Sequence, residues 1–181
     1  MIVEETSIAD LKVIIPDIFN DSRGHFFEQY HLIKYKEIIG KKIELVQDNV
    51  SLSKKNVLRG LHLQEVSQQG KLVTVIYGSI YDVVVDLRKD SKTFQSWFSV
   101  VLSQQNFKQL WVPPGFAHGF VSLENNTIVN YKCSELYNPA LEKTILWNDK
   151  DLRIKWPTSQ PIISEKDQKG VTLANFLLNE K

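Results

Sequence analysis

Two imidazoles, two cations and a phenol occupy strand-like parts of the chain, where inward-facing positions are normally apolar. They are Arg59, His62, Lys71, His118 and Tyr131. An imidazole changes its protonation state near neutral pH, so a histidine in a pocket is suited to proton transfer. In the stretch RGLHLQ, at 59–64, a guanidinium also stands three positions before His62. These residue types indicate acid–base chemistry if the fold brings them to one cavity.

A metal site is the main alternative use of the two histidines. The sequence HLQ at 62–64 and the sequence PPGFAH at 113–118 are similar to the two motifs of the cupin β-barrels, in which three histidines and a glutamate bind a metal. Gln64 is a weak ligand for a transition metal, and Glu65 would point to the opposite face of a strand. Only two imidazoles remain, whereas tightly held zinc or iron needs three or four ligands. We therefore expect no bound metal.

Strands dominate the segments that must position these residues. The segment 71–88 is rich in β-branched and aromatic residues and is interrupted once, at Gly78 and Ser79, so it predicts two antiparallel strands. Further strands are predicted at 97–102, 108–113, 119–123 and 127–136. Strands at such regular spacing are typical of an all-β sandwich or barrel.

Helices are predicted only in short pieces. One covers 31–40, with Gly40 as its C-cap, and another covers the C-terminal residues 171–181. The length of 181 residues fits one domain, and the sequence contains no repeat or low-complexity linker that would divide it. We expect a single domain over 1–181, with an N-terminal arm at about 1–20 and a C-terminal segment at about 158–181.

The charge balance and the apolar pattern exclude several classes of partner. Lys and Arg number 22 and Asp and Glu number 21, so a net charge of +1 would not recruit nucleic acid or an anionic membrane. The single cysteine, Cys133, excludes an internal disulfide and is most typical of core packing. The N-terminal sequence MIVEETSIADL carries acids where a signal peptide would carry Lys or Arg, and no apolar run approaches the roughly 20 residues of a membrane helix. We expect a cytoplasmic protein.

Seven blocks of sequence, spread over nearly the whole chain, carry a resemblance to a known family. They are DSRGHFFEQY (21–30), VQDNVSLSKKNVLRGLH (46–62), QGKLV (69–73), DVVVDLRKDSKTFQSW (82–97), QLWVPPGFAHGF (109–120), ILWNDKDLRIKWP (145–157) and ISEKD (163–167). Together they are similar to the dTDP-4-dehydrorhamnose 3,5-epimerase family. The resemblance implies a cupin-like antiparallel jelly-roll barrel that forms a homodimer and uses no cofactor. It also implies epimerisation of a nucleotide-diphosphate sugar with a 4-keto group, in the biosynthesis of surface polysaccharide or capsule.

The chemistry of such a sugar determines which groups an active site must supply. A ketone at C4 acidifies the C–H bonds at C3 and C5, because either carbanion delocalises onto the carbonyl oxygen as an enolate. Epimerisation then needs a base on one face, an acid on the other and a cation or donor near the oxygen. The resemblance implies that these roles, with a carboxylate that orients the base, belong to His62 (base), Tyr131 (acid), Lys71 (cation) and Asp167 (carboxylate).

The resemblance also suggests residues that bind the substrate. Arg59 is expected to hold a diphosphate oxygen through its fork of donors, beside the base. Phe19 and Phe26 could stack on the nucleotide base. His118 is expected to touch the sugar or support the site, and a core histidine is the alternative. The remaining expected contacts to nucleotide or sugar are Arg23, Glu28, Gln47 and Asn49.

Two departures from the family pattern bear on the identity of the substrate. Leu63 stands where relatives commonly carry Tyr or Phe, and the loop EVSQQG, at 65–70, is shorter than in some relatives. The substrate is expected to be either a dTDP-linked hexose or a GDP-linked 4-keto-6-deoxyheptose. Epimerisation at C3 or C5 alone, a 3,4-ketoisomerase, and a non-catalytic barrel that binds sugar nucleotides remain open.

Overall fold

Two antiparallel β-sheets packed face to face form the frame of the protein in the computed structural model, which describes residues 1–179. The strands are β1 Ile2–Glu5, β2 Lys12–Ile15, β3 Phe19–Asp21, β4 Gly24–Phe26, β5 Gln47–Ser53, β6 Leu58–Gln64, β7 Lys71–Tyr77, β8 Ser79–Asp86, β9 Trp97–Ser103, β10 Gln109–Val112, β11 Phe116–Ser122, β12 Thr127–Cys133 and β13 Glu142–Thr144. The helices are α1 Leu32–Ile39, α2 Glu165–Gln168 and α3 Leu173–Asn179. One sheet has the order β1-β2-β10-β7-β12-β5, the other has the order β13-β6-β11-β8-β9, and β3 pairs with β4 in a separate hairpin. The predicted all-β class with a few short helices is confirmed.

The segment 71–88 forms two strands, as predicted, but these strands do not pair with each other. β7 lies in the six-stranded sheet between β10 and β12, and β8 lies in the five-stranded sheet between β11 and β9. The chain crosses between the sheets at Gly78, whose φ of +79° is a conformation that a side chain would strain. The predicted antiparallel pair is therefore wrong, and the two strands contribute to opposite walls of the barrel.

Apolar side chains from both sheets fill the space between them. Val73 and Val129 from the six-stranded sheet are buried in one cluster with Val84 and Phe120 from the five-stranded sheet. Because side chains alternate between the two faces of a strand, a residue two positions away shares the same face. Four polar residues stand two positions from a member of this cluster and so face the interior, namely Lys71, Asp82, His118 and Tyr131.

The outer faces of both sheets are covered by segments from the chain ends. Helix α3 buries Leu173 and Phe176 against the five-stranded sheet, and this fixes the C-terminal segment that carries α2. Helix α1 buries Tyr35 beside Trp111 on the outer face of the six-stranded sheet. The packing therefore holds α2 against strand β6.

The segment 1–20, predicted as an arm, is largely part of the barrel. Strand β2 pairs with both β1 and β10, and Ile8 and Leu11 are buried in the main core. In strands of only four residues the alternation of apolar and polar residues is too short to predict a strand from the sequence. Beyond β2 the chain continues into the hairpin β3–β4, whose six strand residues are all exposed.

Helix α1 lies within its predicted limits. The His31 ring accepts a hydrogen bond from the Lys34 N–H, and the Gly40 N–H donates to the Lys36 carbonyl, so both predicted ends are capped. The predicted C-terminal helix is observed as α3, and the last two residues of that prediction lie outside the described part of the chain. None of the helices within residues 1–179 is long and apolar enough to cross a membrane.

Strand β5 reverses the usual alternation. Gln47, Asn49 and Ser51 face the interior, whereas Val50 and Leu52 are 70% and 60% exposed. The sequence analysis assigned no strand here, because a polar inner face and an apolar outer face do not match a core strand. The structure thus places a polar wall and an exposed apolar edge on one strand.

Strands β6 and β11 approach each other through two glycines. A Cβ atom at Gly60 would lie 2.6 Å from the Gly119 Cα, and one at Gly119 would lie 2.6 Å from the Arg59 carbonyl oxygen. The register between the strands shifts just beyond His118, as in a β-bulge. His62 and His118 are register partners at this point, so the glycine contact sets the spacing of the two imidazoles.

Candidate active site

A cavity of about 590 Å³ opens between the two sheets. Its walls come from β6 and β11 on one side, from β5, β7 and β12 on the other, and from β13 and α2 at the mouth. The lining residues with polar or ionisable side chains include Gln47, Asn49, Arg59, His62, Lys71, His118, Tyr131, Glu142, Lys166 and Asp167. The structure therefore brings together eight of the twelve site residues expected from sequence.

His62 on β6 is hydrogen-bonded to a buried carboxylate. Its Nε2 atom lies 2.6 Å from Asp167 Oδ1, and Asp167 also accepts a hydrogen bond from the Gly60 N–H at 3.3 Å. Asp167 belongs to α2, where the Ser164 hydroxyl caps the helix by accepting from the Asp167 N–H. Burial favours the neutral acid, but the hydrogen bonds from His62 and Gly60 outweigh it and leave the pKa of Asp167 below its usual value.

The pairing with Asp167 decides which nitrogen of His62 can react. Because Nε2 is engaged, Nδ1 is the ring nitrogen left for a ligand in the cavity. A second carboxylate lies near Nδ1, since the Oε1 atom of Glu142 is 3.8 Å away. An imidazolium at this position would therefore lie between two carboxylates, which stabilises its charge.

Tyr131 lies on the opposite wall from His62. It is on β12 of the six-stranded sheet, whereas His62 is on β6 of the five-stranded sheet. Burial, with smaller contributions from nearby groups such as Cys133, raises the pKa of Tyr131, so the phenol keeps its proton at neutral pH. A ring bound between the walls would thus have a base on one face and a proton donor on the other.

Lys71 is a buried cation that lacks a direct partner. Its side chain is 8% exposed, and within residues 1–179 no hydrogen bond or ion pair to its ammonium group is found. Burial lowers the pKa of Lys71, while electrostatic interactions with Cys133, Glu142 and Asp82 oppose this effect. An uncompensated ammonium at a cavity wall is suited to bind an anionic oxygen.

His118 is paired with a second buried carboxylate. Its Nε2 atom lies 2.9 Å and 3.0 Å from the two carboxylate oxygens of Asp82 on β8. Burial raises the pKa of Asp82, although His118 and Lys71 oppose the effect. Asp82 was not among the predicted site residues, although a carboxylate among the valines of β8 is a visible signal.

The mouth of the cavity carries three residues that sequence reasoning missed. Glu142 forms an ion pair with Lys166 and accepts a hydrogen bond from the Tyr137 hydroxyl at 3.0 Å. Burial would raise the pKa of Glu142, but Lys166 and His62 bring it below its usual value. Lys166 precedes Asp167 in the ISEKD block, and this position was the one signal that could have identified it.

Arg59 and the polar face of β5 also line the cavity. The Arg59 guanidinium donates to the Ser53 hydroxyl at 3.2 Å and to the Leu52 carbonyl at 3.3 Å. In the described part of the chain, no carboxylate forms an ion pair with Arg59. Gln47 donates to Asn49 at 2.9 Å, so the two amides form a connected polar surface. These donors are available to an anionic ligand.

Four expected substrate contacts lie outside the cavity. Phe19 and Phe26 face each other across the hairpin β3–β4 with ring centroids 6.4 Å apart, and both are exposed. Arg23 forms an ion pair with Asp21 at the turn of this hairpin, and Glu28 forms an ion pair with Lys34. The hairpin extends from the end of β2, so it does not reach the cavity of its own chain.

Gln64, at the position of a cupin metal ligand, holds a loop. Its amide donates to the carbonyls of Ser67 and Leu136 and accepts from the Asn138 N–H. The neighbouring Glu65 forms an ion pair with Lys143. The Gln64 amide therefore shapes the segment between β12 and β13 beside the cavity.

Comparisons with known proteins identify the family of the chain. Residues 5–175 match the sequence model of the family described as dTDP-4-dehydrorhamnose 3,5-epimerase. The chain is similar to the dTDP-4-dehydrorhamnose 3,5-epimerase of Salmonella typhimurium, with 50% identity over 99% of this chain and 100% of the relative.

Solved structures give the same result. A dTDP-6-deoxy-D-glucose-3,5-epimerase from Legionella pneumophila, in complex with dTDP-4-keto-L-rhamnose, has a TM-score of 0.92 and 44% identity, covering 95% of this chain and 92% of that one. An epimerase from Mycobacterium tuberculosis has a TM-score of 0.95 and 38% identity, covering 99% and 92%. The fold is that of the cupin-like epimerases. The chain belongs to the dTDP-4-dehydrorhamnose 3,5-epimerase family and is an epimerase of the isomerase class.

Proposed function

We propose that the protein epimerises both C3 and C5 of a dTDP-linked 4-keto-6-deoxy hexose and supplies an activated sugar for surface polysaccharide. The observation that carries this proposal is the placement of the His62–Asp167 pair and Tyr131 on opposite walls of one cavity, with the Lys71 ammonium beside them. The reaction needs no cofactor, because removal and return of a proton at a carbon acid require only a base, an acid and a donor to the enolate oxygen.

The proposed steps follow from the walls of the cavity. Nδ1 of His62 removes the proton from C3 or C5, and the electron pair of the broken C–H bond moves onto the C4 oxygen as an enolate. Asp167 stabilises the imidazolium, and Lys71 stabilises the negative oxygen. Tyr131 then protonates the carbon from the other face, which inverts the centre. The phenolate that remains recovers a proton from solvent or from the imidazolium.

The diphosphate is proposed to bind at the mouth of the cavity. Arg59 and Lys166 are the cations there, and both have donors that can reach an anionic oxygen. Gln47 and Asn49 offer amides to the nucleotide or sugar, and His118 contacts the sugar ring. The Legionella relative holds dTDP-4-keto-L-rhamnose, which supports a dTDP sugar over a GDP-linked heptose.

A homodimer is proposed to complete the site. The exposed Val50 and Leu52 on the edge strand β5 form an apolar strip that a second copy can cover. The hairpin β3–β4 then extends toward the partner, where Phe19 and Phe26 can stack on the nucleotide base and Arg23 can meet the diphosphate. This arrangement explains why these residues are exposed and distant from the cavity of their own chain.

Mixing two inactive variants tests this dimer. His62→Asn lacks the base, and Arg23→Ala combined with Phe26→Ala lacks the hairpin contacts. In a mixed dimer one site has both intact parts, so about a quarter of the wild-type activity should return after subunit exchange. The control adds Val50→Lys to both variants, which should yield monomers on size-exclusion chromatography and no recovery. Absence of recovery in mixed dimers shown by mass spectrometry would refute a site shared between subunits.

Deuterium exchange tests the function itself. We expect dTDP-4-keto-6-deoxyglucose incubated with the protein in D2O to acquire deuterium at C3 and C5, and the product to retain its carbonyl at C4. Label at one carbon would identify a single-centre epimerase, and a carbonyl moved to C3 would identify a ketoisomerase. If a GDP-linked 4-keto-6-deoxyheptose reacts faster than the dTDP-linked hexose, the heptose would be identified as the substrate. If the protein binds dTDP tightly but exchanges no proton of any 4-keto sugar, it would be identified as a non-catalytic barrel that binds sugar nucleotides.

A further inference from the structure

Asp82 is a carboxylate whose position packing does not explain. It lies on β8 between Ile80 and Val84, on the face that packs into the main core, and it is 0% exposed. A carboxylate among apolar side chains lowers stability by several kcal/mol unless it is well paired. Within residues 1–179 its side chain is hydrogen-bonded to one residue, His118, through both oxygens.

Asp86, on the same strand, is a buried carboxylate whose hydrogen bonds show a structural role. It is equally buried, but it accepts hydrogen bonds from Arg88, Ser91 and Thr93 and so fixes the turn after β8. Asp82 organises no turn. Its partner His118 lies instead in the wall of the cavity, as the register partner of His62.

The pairing determines what His118 can present to a ligand. Both Asp82 oxygens meet Nε2, so Nδ1 is the nitrogen left for the cavity. A buried pair with a net charge is disfavoured by desolvation, which favours a pair that is neutral overall. Such a pair holds one proton between Nε2 and the carboxylate and another on Nδ1, so His118 would be a hydrogen-bond donor toward the cavity.

We propose that Asp82 is a positioning residue that acts through His118, fixing its ring so that the Nδ1–H donates to the C4 oxygen of the sugar as the enolate forms. The oxygen then receives donors from both walls, Lys71 from the six-stranded sheet and His118 from the five-stranded sheet. The electrostatic interaction between Asp82 and Lys71 agrees with this proximity. The assignment rests on the proposed epimerase function and names a further pair of residues for it.

Asp82→Leu is the decisive variant, because it removes the carboxylate but fits the apolar surroundings. We expect kcat for epimerisation to fall about 100-fold with an unchanged Kd for dTDP, and Tm to fall because the buried His118 ring loses its partner. The matched control is Asp86→Asn, which should lower Tm because Arg88 loses its partner but should leave kcat unchanged. Wild-type kcat in Asp82→Leu would overturn the proposal.

A double-mutant cycle tests whether Asp82 acts through His118. Introduced into a His118→Phe background, Asp82→Leu should cause no further loss of kcat, because phenylalanine has no N–H and the donor is already absent. If Asp82→Leu lowers kcat a further 100-fold in that background, the two effects are additive. Asp82 would then act independently of His118, and the assignment would be overturned.

The protonation of His118 Nδ1 can be measured directly in the wild type, so this test does not require that a variant folds. In wild-type protein labelled with 15N at its histidine rings and saturated with dTDP, the Nδ1 of His118 should show the chemical shift of a protonated ring nitrogen. An unprotonated Nδ1 would refute the proposed donor. This readout does not depend on turnover. A wild type that exchanges no 4-keto sugar would reject the epimerase function separately.

Discussion

Replacing His62 by Asn is expected to lower the rate of deuterium exchange at C3 and C5 about 10³-fold while leaving the Kd for dTDP nearly unchanged. The amide of Asn can still donate to Asp167, which keeps the buried carboxylate satisfied, but it cannot accept a proton from carbon. Exchange is measured by NMR in D2O, and the Kd by calorimetry. Because the two readouts separate chemistry from binding, loss of the fold would be evident as loss of both.

Tyr131→Phe is the matched control on the opposite wall. It removes the proton donor but leaves the base, so deuterium should still enter the substrate from the His62 face while inverted product falls about 100-fold. Exchange without inversion would be the signature of a base and an acid on different walls. Undiminished exchange in His62→Asn, or equal loss of exchange in both variants, would contradict the assignment of His62 as the base.

Replacing Lys71 by Met is expected to change activity and stability in opposite directions. Epimerisation should fall by about 10²-fold or more, because the enolate loses the buried cation at the cavity wall. The free energy of unfolding should rise by about 1 kcal/mol, because a buried ammonium without a direct partner is replaced by an apolar side chain of similar length. Urea denaturation and product NMR measure the two effects.

The stability difference between the wild type and Lys71→Met should depend on pH. Burial lowers the pKa of Lys71 from its ordinary value of 10.5, so between the lowered pKa and 10.5 the unfolded chain binds more protons than the folded protein. The wild type therefore gains stability relative to the variant as pH rises through this window. A difference that is independent of pH, or a Met variant less stable at neutral pH, would show that the ammonium is compensated in the fold.

The strands of the barrel differ in how far sequence predicted them. Those with a buried apolar face, such as β7, β8 and β12, were visible because their β-branched residues match the requirements of a core. Strand β5 was not assigned, because its inner residues line a polar cavity and its apolar residues lie outside. The sheet to which each strand belongs could not be read either, since a Gly-Ser break fits a hairpin as well as a crossover.

The candidate site was predictable where a polar residue interrupts an apolar strand. His62, Lys71 and Tyr131 stand out in this way, whereas Asp167 is 105 residues from its partner and was selected only through the family resemblance. Glu142 and Lys166 lie in short segments that carry no periodic pattern, so only the position of Lys166 next to Asp167 could have marked either of them. Phe19, Phe26 and Arg23 lie on the exposed hairpin β3–β4, away from the cavity of their own chain.

The glycine contact between β6 and β11 restricts how this enzyme can diversify. A methyl group at Gly60 or Gly119 would collide with the backbone of the facing strand, so neither position can accept a side chain unless β6 and β11 shift. The inner face of β5 carries two amides and two hydroxyls, and as an edge strand β5 has a neighbour on one side alone. Variation in accepted sugars, in nature or in directed evolution, should therefore concentrate at positions 47, 49 and 51.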